Sequence, residues 1–81
     1  MLTTMSETTV WQRNLASVIR SGLLDRAEVV ELRGLHAVVG VYNKDGSYTA
    51  PVAKYSERRR AQDAVDVIHR LAGTPVAVEA N

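Results

Sequence analysis

Residues 54–73, KYSERRRAQDAVDVIHRLAG, place Arg58, Arg59 and Arg60 in succession, just after Lys54, Ser56 and Glu57 and at the point where a helical apolar period begins. Guanidinium forks beside the free N–H groups of a first helical turn can cradle a phosphate or a carboxylate, with Lys54 and the Ser56 hydroxyl as further donors. Positive charge in that turn opposes the helix dipole at about 0.3–1 kcal/mol per residue, and only Glu57 has the favoured sign. Three unfavourable residues in a row invite a functional explanation. A solvated surface is the competing explanation. Arg59 stands four residues before Asp63, a spacing worth about 0.3–0.5 kcal/mol as an exposed helix pair. Arg58 and Arg60 fall on the shoulders of the apolar stripe, where arginine stems can cover the core edge.

The other chemistry-bearing residues do not form a recognisable reactive set. His36 and His69 lie far apart, and neither has a nucleophile at a catalytic spacing. Asp66 and His69 share a helical face and could supply two metal ligands, yet the pattern offers no third or fourth. Glu28 and Glu31 are expected on opposite faces of one strand, which disqualifies them as a carboxylate pair. No glycine-rich loop is present to wrap a nucleotide. The residues therefore imply neither enzyme, metal nor cofactor.

Composition narrows the partners. The chain has 81 residues, enough for one domain, and its 46% hydrophobic and 23% charged content is that of a folded globular protein. At this length folding buries only about 60% of the unfolded surface, so a partner subunit would add useful stability. The net charge of +1 provides no broad field for a polyanion, and any such contact must be local. There is no cysteine, hence no disulfide framework. No apolar run approaches the ~20 residues that cross a bilayer, and the first residues lack a secretory pattern, so a cytoplasmic protein without a membrane partner is expected. Arginine predominates over lysine and alanine and valine are abundant, a usage that fits a GC-rich bacterial or phage genome.

The elements that must position these residues follow from their periods. Residues 1–8 read as a flexible extension and 9–81 as a single α+β domain. Trp11, Leu15, Val18 and Ile19 recur at helical spacing over residues 10–21, with a capping box at Thr9 and Gln12 and a terminator at Gly22. Residues 28–34, EVVELRG, form a short edge strand, and residues 35–42, LHAVVGVY, a central one. The turn residues 43–46, NKDG, lead into a returning arm, SYTAPVAKY, and Pro51 predicts a free edge or a bulge there. An even-length loop puts Leu35, Ala37, Val39 and Val41 on one face with Tyr48, Ala50 and Val52. That face is expected to receive the second helix, which starts after a Ser56 cap and presents Ala61, Ala64, Val65, Ile68 and Leu71 before Gly73 ends it. Val76–Val78 could add a fourth strand, giving the order α-β-β-β-α-β.

The opposite face of the hairpin carries His36, Val38, Gly40 and Tyr42, with Thr49 across from them. It is neither plainly core nor plainly solvent. Either the first helix or a second copy of the chain would cover it, and His36, Val38, Tyr42 and Thr49 are accordingly the candidate oligomer face. The pattern as a whole implies a small non-enzymatic interaction module, homo-oligomeric, that binds and regulates a macromolecular partner, a protein in the first instance. The alternative is a binder of a phosphorylated ligand or nucleic acid through the arginine-bearing helix start.

Overall fold

A computed structural model describes residues 9–73. Two helices and three antiparallel strands follow in the order α1 (Val10–Ser21), β1 (Leu24–Leu32), β2 (Leu35–Tyr42), β3 (Ala53–Tyr55) and α2 (Arg58–Gly73), with β2 at the centre of the sheet. The small α+β architecture is the expected one; the fourth strand at Val76–Val78 falls outside the described residues.

Local chemistry sets the boundaries. At the start of α1 the Gln12 side-chain oxygen accepts the Thr9 N–H at 2.9 Å. Gly22 closes the helix at φ 94°, in the left-handed region that glycine enters without strain. The strand after it is longer than its sequence pattern implies. It begins at Leu24 rather than Glu28, because a bulge at Asp25 shifts the register between the Leu24–Tyr42 and Arg26–Val41 pairs and lets both Leu24 and Ala27 face the helices. β1 turns into β2 through two residues only, Arg33 at φ 54° and Gly34 at φ 81°, the backbone geometry of a tight hairpin.

The NKDG loop joins β2 to the returning arm, with the Tyr42 N–H donating to the Ser47 carbonyl and the Gly46 N–H to the Tyr42 carbonyl, both at 2.8 Å. The even register holds, since Val41 lies directly opposite Tyr48. The arm is nevertheless interrupted. Thr49 pairs with Gly40 through its N–H, while Val38 takes both Ala53 in register and the Val52 N–H at 2.9 Å, so Ala50 and Pro51 stand against Val39 and Val52 is an extra residue against Val38. Pro51 thus sits in a bulge, where its missing donor is harmless.

The helices cover the face opposite to the one expected. Ile68, fully buried, packs with Val38, Ala27, Leu24, Leu15 and Ala16, while Tyr42, Tyr55 and Leu71 close the margins of this core. The alternation in β2 leaves the choice open, because both its faces are apolar. The neighbouring strands decide it. Arg26, Glu28 and Lys54 fall opposite Val41, Val39 and Ala37, and their charges could not be buried under a helix without large desolvation costs. On the chosen face, small side chains at Ala27, Val38, Gly40, Ala61 and Ala64 allow close approach. The His36, Val38, Tyr42 and Thr49 face is therefore an intramolecular one, with Val38 completely buried beneath the helices.

Val39 and Val41 are each 2% exposed although they face away from the helix layer. A polar arch accounts for part of that burial. The Tyr48 hydroxyl reaches across β2 to donate to Glu28 Oε1 at 3.2 Å, and Arg26 Nε donates to the other carboxylate oxygen at 2.9 Å.

Candidate functional site

The sequence-selected basic residues lie at the end of the sheet that carries the β1–β2 turn. β3 ends at Tyr55 opposite His36, so the chain enters α2 beside the Arg33–Gly34 turn. α2 begins one residue later than a Ser56 cap would require. The Glu57 carbonyl accepts the first helical bonds, from the Arg60 and Ala61 N–H groups at 3.2 and 3.3 Å, which puts Glu57 at the cap and Arg58, Arg59 and Arg60 in the first turn. All three are exposed, and that turn contains no acidic residue. The pair expected between Arg59 and Asp63 does not form, whereas Arg26 pairs with both Asp25 and Glu28. Nor does Lys54 complete a single cradle with the arginines. It pairs with Ala37 and shares that residue's side of the sheet, away from the helices, while Ser56 is exposed in the bend between. Arg33, held in the hairpin turn, is the basic residue that sequence spacing missed; the RG dipeptide between two strands is its signal.

Of the remaining candidates, His69 and Thr49 bond the backbone of the sheet. His69 Nε2 accepts the Ala27 N–H at 3.1 Å, so this histidine binds an outward-pointing donor at the edge of β1. Asp66 accepts a bond from Gln62 Nε2 at 3.1 Å. His36 is half-buried between Glu31 and Tyr55 in the sheet register. Thr49 uses its hydroxyl oxygen to accept the Gly40 N–H at 2.9 Å, replacing a strand carbonyl where the bulge begins.

Two concavities were not legible in the sequence. An apolar cleft of about 360 Å³ opens between α1 and the bulge, lined by Leu15, Val18, Leu23, Leu24, Tyr42 and Val52. It opens where Ala50 and Pro51 leave the ladder between the Thr49–Gly40 and Val52–Val38 backbone bonds, an irregularity of register that composition does not encode. A polar hollow of about 250 Å³ lies beside Asp25, Arg26, Asn43 and Tyr48. Arg26, Asn43 and Tyr48 each have a hydrogen-bond partner. Arg26 titrates above its ordinary value because of its bonds first to Glu28 and then to Asp25, and the Asn43 amide donates to the Gly22 carbonyl at 3.2 Å.

Among the described residues no three metal-ligating side chains converge, and no helix is long and apolar enough to cross a membrane. Comparison with protein-family models, curated proteins and solved structures found no match.

Proposed function

We propose that the protein is a small non-enzymatic binding module whose partner is polyanionic, a nucleic acid or an acidic macromolecular surface, engaged through the start of α2. The observation that carries this reading is the exposed row Arg58, Arg59 and Arg60, engaged in no ion pair among the described residues and next to the sheet end that presents Arg33. Side chains kept in that turn against the helix dipole and without partners among the described residues gain their favourable interactions from outside. The fold supplies a rigid base for them, since Ala61, Ala64, Val65 and Ile68 anchor the same helix in the core. Arginine suits the task because its planar fork pairs with phosphate oxygens in a bidentate manner.

The test is binding of fluorescent duplex RNA, duplex DNA and an acidic peptide by the wild type and by the triple variant Arg58→Ala, Arg59→Ala, Arg60→Ala. The expected result is loss of binding at least tenfold with the circular dichroism spectrum retained. Wild-type binding to none of the probes, or equal binding by the variant, would overturn the proposal.

A further inference from the structure

The outer edge of β1 provides a second interaction surface, independent of the arginine row. In an antiparallel hairpin alternate residues of the edge strand direct their backbone groups to the partner strand and the intervening ones direct theirs outward. The Ala27 N–H goes to His69 of α2 rather than to β2, which fixes the parity: Ala27, Val29 and Glu31 face out, and Glu28, Val30 and Leu32 face β2. His69 closes this edge at Ala27, and the left-handed Arg33 ends the extended backbone on the other side. Between these limits lie the outward groups of Val29 and Glu31, and among the described residues no strand pairs with them.

That window is symmetric about Val30. We propose that it receives the same window of a second copy of the chain, forming an antiparallel β1–β1 pair on a two-fold axis at Val30. Val29 then exchanges both backbone hydrogen bonds with Glu31 of the other copy, and Glu31 with its Val29, so every outward group in the window is satisfied and His69 is left in place. Side chains on the helix-free face agree with this pairing. Val30 meets its symmetry mate, and Leu32 and Leu35, 38% and 37% exposed, extend the apolar strip from both sides. Glu28, the charged residue within the strip, is held along β1 by Arg26 and from across β2 by Tyr48. The outcome is a six-stranded sheet with all four helices on one face, a closed assembly with an isologous contact.

The test combines sedimentation of the full chain over a concentration series with amide exchange at Val29 and Glu31. Two variants separate pairing from folding. Glu31→Pro removes an outward donor without removing a bond to β2, and Val30→Lys places like charges face to face on the axis. The expected result is a dimer with slow exchange at both amides, and monomers with unchanged circular dichroism for both variants. A chain that stays monomeric at millimolar concentration, a dimer that survives both substitutions, or slow exchange that persists in dilute monomer would each overturn the pairing; none of these outcomes depends on polyanion binding.

Discussion

Two neighbours on α2, Ile68 and His69, divide the work of holding that helix to the sheet. Ile68 is fully buried among Val38, Leu15 and Ala64, so truncation leaves a cavity that closely packed surroundings fill poorly. Ile68→Ala should cost about 2–5 kcal/mol in urea unfolding, against less than about 0.5 kcal/mol for Arg59→Ala on the exposed side. His69 contributes through one atom. Its Nε2 accepts the Ala27 N–H, so the accepting nitrogen carries no proton and the ring donates, if at all, from Nδ1. His69→Ala should cost about 0.5–1.5 kcal/mol and accelerate exchange of the Ala27 amide selectively, measurable by NMR. A stability loss without faster exchange at Ala27 would assign the role of His69 to packing. Nothing in the sequence marks this contact, because 42 residues separate its partners and a lone histidine on a helix flank has many uses.

At the scale of elements, the break in the returning arm follows from Gly40, Thr49 and Pro51 acting together. A Cβ on Gly40 would lie 2.8 Å from Leu24 Cδ1 and 3.2 Å from Thr49 Cγ2. Gly40→Ala should therefore displace the nearly buried Leu24 or loosen the Thr49 contact, at a cost of about 1–3 kcal/mol in thermal or urea unfolding. The preceding loop has a different dependence. The Asp45 carboxylate accepts bonds from the Ser47 N–H at 3.0 Å and the Ser47 hydroxyl at 2.7 Å, which hold its titration below the ordinary carboxylate value. A folded-state value lower than the unfolded one contributes stability above the unfolded titration point, and that contribution is lost as pH falls through the folded value. Ser47→Ala should raise the Asp45 midpoint toward its ordinary value in a carboxyl NMR titration. Both helices, the central strand and the NKDG turn are legible because period and turn residues agree there, although the start of α2 falls at Glu57 and not at the expected Ser56 cap. The choice of sheet face is not legible in β2 itself, since that strand is apolar on both sides and the deciding charges, Arg26, Glu28 and Lys54, belong to its neighbours. The arginine row was legible as a candidate site, whereas Arg33 joins it only through the tight β1–β2 turn.

For the molecule as a whole, the formal net charge of +1 means that any polyanion affinity arises from the local distribution of charge and not from the total. The fold sets Arg33 and the first turn of α2 at one end, while Asp25 and Asp45 lie toward the other end of β1 and β2. A nucleic acid bound by Arg33, Arg58, Arg59 and Arg60 should show a logarithmic salt slope of about −3.6, a loss of roughly a hundredfold between about 50 and 200 mM salt. Each single alanine substitution among the four should lower the slope by about 0.9, and Lys54→Ala, on the other side of the sheet, should leave it unchanged. Arg59 belongs in that series on equal terms, because it is not tied to Asp63. Titration of duplex DNA and RNA across that salt range decides the matter. A slope near −3.6 that falls stepwise with each arginine identifies a phosphate chain spanning the basic end, whereas a slope near −1 that responds to one residue alone confines the contact to a single anionic group and removes nucleic acid as the partner.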